Sequence, residues 1–177
     1  MIFTETKLKG AYLIDWELRN DERGFFTRSF CQHEFATLGL KTSIAQCNIS
    51  FNKNRGTLRG MHFQITPRAE AKLVQCTRGA IYDVIIDLRP DSLSYCAWTG
   101  VELTADSHRM LYIPEGFAHG FQTLDDNVEV FYHMFEFYSP DHARGVRWDD
   151  PAFGVIWPLP NPIISERDGS YPLFEKR

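Results

Sequence analysis

Apolar and polar residues alternate over most of this chain, which is the pattern of half-buried β-strands. From Ser43 to about residue 138 the alternation is interrupted only by short clusters of turn residues, such as Asn52-Lys-Asn-Arg-Gly56 and Asp125-Asp-Asn127. Many short strands with turns roughly every eight to twelve residues are typical of a sandwich or barrel. The pattern therefore predicts an all-β fold.

The predicted strands can be placed one by one from the same alternation. Two strands are expected within residues 2–18. The others are predicted at residues 25–30, 44–51, 57–64, 71–77, 80–88, 95–103, 110–113, 118–124 and 128–138. Only a turn signal separates the two strands predicted within residues 71–88, and the same holds within residues 118–138. Each of these segments is therefore predicted to form a hairpin.

One short helix is predicted over Cys31–Leu38. It follows Ser29, which is a plausible N-cap, and it stops at Gly39, which can end a helix in the left-handed conformation. Phe35 and Leu38 would share its apolar face. After residue 140 the chain is rich in proline and irregular in pattern, so few further helices are expected.

Composition narrows the class of protein. A length of 177 residues, with 44% hydrophobic and 14% aromatic residues, fits one globular domain over residues 1–177. The net charge of −4 argues against nucleic acid and anionic membranes as partners. Between Lys53 and Arg78, however, there are six basic residues and one acid, Glu70. A small anionic ligand and a solvated basic face both fit that cluster.

The four cysteines are scattered without a Cys-x-x-Cys pair. This spacing argues against a thiolate zinc site and against a disulfide framework. The N-terminus has no signal-peptide pattern, and no apolar run approaches the length of a membrane span. We therefore expect a cytoplasmic protein with no membrane partner.

The predicted strand at residues 57–64 carries Arg59 and His62 in its middle. Taken alone, they could be an edge charge and a hydrogen-bonded core histidine. A second stretch of similar character, residues 113–121, carries His119 and favours a functional site instead. Strict alternation would place Arg59 and His62 on opposite faces of the strand. A β-bulge at Gly60 would turn both side chains into one cavity.

Residues 56–64 and 113–121 resemble the two motifs of the cupin superfamily, whose fold is a double-stranded β-helix or jelly roll. Metal-binding cupins have a second histidine in the first motif, where this chain has Gln64. Glutamine is a poor ligand for zinc, iron or copper. The resemblance thus implies a cupin without a metal, and a metal-dependent cupin such as a dioxygenase is the less favoured alternative.

The longer motifs together resemble the dTDP-4-dehydrorhamnose 3,5-epimerase family, over nearly the whole chain and in the family's order. The resemblance implies a metal-free cupin jelly roll without a cofactor, a homodimer, and a nucleotide-diphosphate sugar as substrate. The motifs that carry it are residues 21–26, 56–64, 72–76, 83–89, 113–121, 148–151, 157–158 and 165–168.

The resemblance also implies roles for individual residues. His62 matches the catalytic base, and Asp168 matches the carboxylate that pairs with it. Tyr132 matches the acid on the opposite face of the sugar, and Lys72 matches the cation beside the enolate oxygen. The reaction implied is the conversion of dTDP-4-dehydro-6-deoxy-D-glucose to dTDP-4-dehydro-L-rhamnose.

Eight further residues are predicted to bind the substrate. The guanidinium groups of the arginines suit the diphosphate. The polar pair and the histidine match family residues that face the substrate. The tyrosine could stack on the base or belong to the core. These residues are Arg23, Arg28, Arg59, Arg167, Gln46, Asn48, His119 and Tyr138.

Three positions depart from the family pattern. Arg28 stands where many relatives have Glu, Cys47 replaces an Asp, and Ala143 falls near a position often occupied by Glu. We expect all three to lie around the substrate. They leave open which nucleotide is carried and which carbon is inverted, so a C3 or C5 mono-epimerase acting on a CDP- or GDP-linked sugar is an alternative. A non-catalytic cupin that binds sugar nucleotides is another.

Overall fold

The computed structural model describes residues 1–175, and it confirms the all-β fold. Two large antiparallel sheets face each other. The first has the order β1-β2-β10-β7-β12-β5, and the second has the order β13-β6-β11-β8-β9, with β14 parallel to β6. Strands β3 and β4 form a small separate hairpin. The first six strands are β1 Ile2–Glu5, β2 Tyr12–Asp15, β3 Arg19–Asp21, β4 Gly24–Phe26, β5 Gln46–Asn52 and β6 Thr57–Gln64.

Strands β5 to β12 lie close to their predicted positions, whereas no strand was predicted at β3, β13 or β14. The later strands have the following bounds. They are β7 Lys72–Arg78, β8 Ala80–Asp87, β9 Trp98–Thr104, β10 Arg109–Ile113, β11 Phe117–Thr123, β12 Val128–Met134, β13 Ala143–Gly145 and β14 Ile163–Ile164. The two helices are α1 Gln32–Thr37 and α2 Glu166–Gly169, and a short 3₁₀ turn spans Ala105–Ser107.

Both predicted hairpins are wrong. β7 pairs with β10 and β12 in the first sheet, whereas β8 pairs with β9 and β11 in the second. β11 and β12 are likewise split between the two sheets. The turns are present, but they carry the chain from one sheet to the other. This arrangement lets consecutive apolar strands bury their side chains against each other across the sandwich, which local turn signals do not report.

The main core lies between the two sheets. Val74 and Val130 of the first sheet pack there with Ile85 and Phe121 of the second, each almost fully buried. The outer faces are covered as well. Phe35 of α1 packs on the first sheet, and the C-terminal segment packs on the second. Because both faces are covered, β7 and β8 are buried along most of their length.

Helix α1 differs from its prediction at the start. Its N-cap is Cys31, which makes no side-chain capping bond, so the prediction that Ser29 caps the helix is wrong. A cap must directly precede the first helical residue for its side chain to reach the free N–H groups. Phe35 is buried as predicted, whereas Leu38 is exposed. The predicted strand at residues 25–30 is shorter than expected and ends at Phe26.

Within residues 1–175, no helix combines the length and the apolar character needed to cross a membrane. The cytoplasmic location stays a prediction.

Candidate active site

Two adjoining cavities at one end of the sandwich gather most of the predicted site residues. The cavity around His119, of about 290 Å³, and the cavity around Tyr138, of about 410 Å³, share Asn48, His62 and Lys72 in their walls. We name them the His119 cavity and the Tyr138 cavity. Of the twelve predicted residues, nine line one or both: His62, Lys72, Tyr132, Gln46, Asn48, Arg59, His119, Tyr138 and Arg167.

A β-bulge at Gly60 brings Arg59 and His62 to the same cavity. His119 of β11 faces His62 and Phe121 faces Arg59, so β6 has one more residue than β11 over this stretch. Gly60 has a φ of +129°, and a Cβ there would lie 2.5 Å from the Cα of Gly120. Only glycine fits such an approach. The structure confirms that Arg59 and His62 line one cavity.

The imidazole of His62 is held by Asp168, as predicted. His62 Nε2 lies 2.7 Å from Asp168 Oδ1, and the backbone N–H of Gly60 donates to Asp168 Oδ2 at 3.2 Å. Burial, the largest single influence, opposes ionisation of Asp168, but the hydrogen bond and charge of His62 together with the hydrogen bonds from Gly60 and Ser165 outweigh it and lower the pKa of this carboxyl. An ionised carboxylate can only accept, so Nε2 carries the ring proton. Nδ1 is then the ring atom that can accept a proton.

Asp168 does not line either cavity itself; it lies behind His62. It belongs to the short helix α2, where the side chain of Ser165 accepts from the Asp168 N–H at 3.1 Å. β14 fixes the approach of this segment by pairing in parallel with the start of β6. The C-terminal segment thus delivers the carboxylate to the strand that carries His62.

Lys72 is buried in the walls of both cavities. Its ammonium group lies 2.9 Å from Glu70 Oε1 and donates to the His62 carbonyl at 3.3 Å. An ammonium group has three donors, so one remains for a ligand in the cavity. The nearby carboxylate offsets the cost of burying the cation.

Tyr132 and His119 line the His119 cavity and contact each other edge to face. Burial, and next the charge of Asp83, raise the pKa of Tyr132, so its hydroxyl remains a donor at neutral pH. His119 Nε2 lies 2.6 Å from Asp83 Oδ1, and both side chains are buried. The site therefore contains a second histidine–aspartate pair.

The Tyr138 cavity is the larger of the two. Gln46 and Asn48 of β5 lie next to each other in its wall, and Gln46 also accepts from the backbone N–H of Tyr138 at 3.2 Å. Tyr138 is largely exposed, so its placement as a core aromatic is excluded. Arg167 also lines the cavity, and its Nε donates to the Tyr171 hydroxyl at 3.1 Å.

Arg23 and Arg28 do not line these cavities in the described chain. Arg23 lies in the β3–β4 turn, with its side chain exposed and paired with Asp21. Arg28 pairs with Glu34 of α1. The local carboxylates hold both guanidinium groups on the surface. The prediction that they bind substrate is therefore not met within one chain.

Of the other two departures from the family pattern, only Ala143 lies in the site. It lines the Tyr138 cavity. Cys47 is exposed, and it is absent from the walls of both cavities because it alternates with Gln46 and Asn48 along β5. Within this chain Arg28 and Cys47 lie outside the walls of both cavities, and the expectation that they lie around the substrate stays a prediction.

Sequence reasoning assigned neither Asp83 nor Glu70 a role in the proposed site. A signal for Asp83 existed, because it interrupts the apolar run of β8 at a position where a buried carboxylate needs a partner. Glu70 has no such signal, since it lies in a loop before β7. The structure gives these carboxylates His119 and Lys72 as partners.

Gln64 explains why a metal is not expected at His62 and His119. Its buried amide donates to the carbonyls of Arg68 and Phe137 and accepts from the backbone N–H of Ser139, so it ties two loops together. Among the described residues, no group of three or more His, Cys, Asp or Glu side chains is placed to hold a metal ion.

The fold and the site define a class: a cupin-type jelly roll whose cavity is built for proton transfer. The model of the dTDP-4-dehydrorhamnose 3,5-epimerase family matches residues 5–176. The chain therefore belongs to this family of isomerases.

Individual relatives agree with this assignment. The dTDP-4-dehydrorhamnose 3,5-epimerase of Methanothermobacter thermautotrophicus is 45% identical, with 98% of this chain and 95% of the relative covered. The enzyme of that name from Bacillus anthracis, solved with TDP and PPi bound, is 46% identical with a TM-score of 0.94, covering 98% of this chain and 99% of that one. The Legionella pneumophila enzyme, solved with dTDP-4-keto-L-rhamnose, is 32% identical with a TM-score of 0.90, covering 97% and 92%.

Proposed function

We propose that this protein epimerises dTDP-4-dehydro-6-deoxy-D-glucose at C3 and C5, giving dTDP-4-dehydro-L-rhamnose. The observation that carries the proposal is the placement of a carboxylate-bound histidine and a protonated tyrosine on opposite walls of one cavity. His62 projects from β6 of the second sheet, and Tyr132 from β12 of the first. Inversion at carbon needs a base and an acid on opposite faces.

The first step is removal of a proton next to the ketone. A C4 carbonyl acidifies the hydrogens on C3 and C5, because the resulting negative charge moves to the oxygen. His62 takes the proton at Nδ1, since its Nε2–H is directed at Asp168. The Asp168 carboxylate then stabilises the imidazolium that forms.

The enolate oxygen and the returning proton need different partners. Lys72 has an N–H free for the enolate oxygen, and it acts from a buried position where a charge interaction is strong. Tyr132 returns a proton from the other wall, and its raised pKa keeps this hydroxyl protonated in the resting enzyme. His62 then releases its proton to solvent and Tyr132 takes one up from solvent, and repetition at the second carbon completes the double inversion.

Arg59 in the wall of the His119 cavity and Arg167 in the wall of the Tyr138 cavity are the candidates to bind the nucleotide diphosphate, because guanidinium groups bind paired oxygens well. Tyr138 is exposed at the rim of its cavity and is available to stack on the base. The choice of dTDP rests on the names and ligands of the relatives described above.

We also propose that the chain is a single domain and that it forms a homodimer. One core joins both large sheets, and β1 is an edge strand with Ile2 exposed, which can pair with a second copy. Since Arg23 and Arg28 lie away from the cavities of their own chain, their predicted contact with substrate requires the cavity of another copy. Light scattering should give twice the chain mass, and a monomer at micromolar concentration would contradict the dimer.

The experiment that tests the activity is proton NMR of the dTDP-4-keto-6-deoxy sugar incubated with the protein in D2O. Deuterium should enter at both C3 and C5 without added metal. His62→Ala should abolish this exchange, while His33→Ala, an exposed change on α1, should leave it intact. Tyr132→Phe should allow exchange but block the completed inversion. Exchange that persists in His62→Ala at the wild-type rate would refute the mechanism.

Mono-epimerisation is the second candidate. A structural neighbour described as a 3′-monoepimerase from Streptomyces bikiniensis is 29% identical with a TM-score of 0.88, covering 95% of this chain and 85% of that one. The same NMR experiment separates the two, because a mono-epimerase yields a product inverted at one carbon. CDP- and GDP-linked sugars tested in parallel would report the nucleotide.

A further inference from the structure

The ring of Tyr171 lies next to the base His62, in a space that Gly145 leaves open because it has no side chain. Gly145 of β13 is the cross-strand partner of His62, and a Cβ on Gly145 would lie 2.3 Å from the Tyr171 ring. The aromatic ring thus occupies the place of the side chain that Gly145 lacks. It meets the His62 imidazole edge to face, with ring centroids 6.1 Å apart. This geometry is favourable for aromatic pairs.

The hydroxyl of the same residue holds Arg167. Arg167 Nε donates to the Tyr171 oxygen at 3.1 Å, and hydrogen bonds with Tyr138 and Tyr171 raise the pKa of the guanidinium. Arg167 is otherwise an exposed side chain on a helix of four residues. A long side chain loses considerable entropy when a ligand fixes it, so the existing hydrogen bond with Tyr171 lowers that cost.

The chain beyond Tyr171 is also fixed. Three residues later, the backbone N–H of Phe174 donates to the buried Asp150 at 2.6 Å, and the Phe174 ring packs against Phe153 and Tyr95. Tyr171 therefore lies between two anchored points, α2 on one side and Phe174 on the other. Its ring and hydroxyl have little freedom to leave their partners.

We propose that Tyr171 is a positioning residue that sets both the diphosphate-binding Arg167 and the base His62 in place. The inference rests on the proposed function, because the two groups that Tyr171 would arrange, His62 and Arg167, have their roles only in that function. Tyr171 acts through its neighbours, as it does not line either cavity. Its hydroxyl acts through Arg167 on nucleotide affinity, and its ring acts through His62 on turnover.

The two effects can be separated by substitution. Tyr171→Phe removes the hydroxyl and keeps the ring, so it should weaken dTDP binding about fivefold and leave kcat within about twofold. Tyr171→Leu removes the ring as well, so it should also lower kcat, by about tenfold. Tyr95→Phe is the matched control. It deletes a hydroxyl next to the same C-terminal segment but away from both cavities, and it should leave both quantities unchanged.

A double-mutant cycle tests the route of action. Calorimetric titration with dTDP is carried out on wild type, Tyr171→Phe, Arg167→Ala and the double variant. If the hydroxyl acts through Arg167, Tyr171→Phe should have no effect on the Kd in the Arg167→Ala background. An equal fivefold loss in both backgrounds would overturn the inference, and so would a wild-type Kd in Tyr171→Phe.

Failure of the proposed function would look different. A wild-type protein that neither binds dTDP nor exchanges deuterium refutes the function and this inference together. A wild-type protein that is active, with Kd and kcat unchanged in both Tyr171 variants, refutes the inference alone.

Discussion

The pairing of Asp168 with His62 leads to a quantitative prediction for Asp168→Asn. The wild-type carboxylate accepts two hydrogen bonds, from His62 Nε2 and from the Gly60 N–H. An asparagine of the same shape has one acceptor oxygen and one NH2 group. One of the two donors must then face the NH2 group, or His62 must move its proton to Nδ1. In the second case the nitrogen that should act as the base is blocked.

The expected loss follows from the type of bond. A hydrogen bond to a charged group contributes about 1.5–3 kcal/mol. If that amount is lost in the transition state, kcat falls by roughly 10- to 150-fold. Asp168 lies behind His62 and outside the walls of both cavities, so KM should change by less than about threefold.

Deuterium incorporation in D2O, followed by NMR at saturating substrate, measures the change in kcat directly. Asp149→Asn is the matched control, because Asp149 pairs with Arg147 on the surface. Thermal unfolding of both variants shows whether a loss of folded protein contributes. An Asp168→Asn protein that is fully folded and retains kcat within threefold of wild type would refute the role of the carboxylate.

Three further changes have defined outcomes. Gly60→Ala should destabilise the fold by about 3 kcal/mol more than Gly24→Ala, as measured by chemical denaturation. Both glycines have a φ of +129°, but only at Gly60 would an added Cβ lie within 3 Å of other backbone atoms. Equal losses of stability in the two variants would contradict this close approach. Lys72→Met combined with Glu70→Gln, which leaves no unpaired buried charge, should lower kcat by about 10²- to 10³-fold with the fold intact. A smaller loss than tenfold would exclude Lys72 as the enolate partner. Asp87→Asn should cost about 2 kcal/mol of stability at pH 7, because hydrogen bonds led by that of Arg89 outweigh burial and lower the pKa of Asp87 from 3.8 to about 2. A lowered pKa in the folded state stabilises the protein at pH values above the pKa of the unfolded state, and this stabilisation is lost as the pH falls toward 2. The difference in stability between variant and wild type should therefore shrink below pH 4.

The positions of β5 to β12 were predictable from the sequence because these segments are alternating or apolar runs bounded by turn residues, whereas β3, β13 and β14 are only two or three residues long and carry no such signal. The partner of each strand was not predictable. The turn at Arg78-Gly79 has the composition of a hairpin turn, yet β7 and β8 belong to different sheets. Pairing across the sandwich depends on area buried between distant segments, and no local signal reports it.

The candidate site was likewise predictable only in part from the sequence. The bulge at Gly60 could be predicted, because a glycine between Arg59 and His62 has a direct geometric meaning. Asp168 could be assigned only from the family resemblance, since nothing in its surroundings in the sequence points to a partner 106 positions away. The roles of Arg23 and Arg28 in substrate binding stay a prediction, because both side chains pair with carboxylates on the surface of their own chain.

His62 and Asp168 are far apart in the sequence, and this separation determines the order in which the parts of the site are synthesised and fold. Protein synthesis proceeds from the N-terminus, so His62, Lys72 and Tyr132 leave the ribosome well before α2. All strands of the two large sheets except β14 can pair before Asp168 is available. The nascent chain can therefore hold a nearly complete jelly roll while its base still lacks the carboxylate. Full activity is expected only after the segment that carries Asp168 has been released and has docked beside β6, so the carboxylate is the last part of the catalytic pair to be put in place.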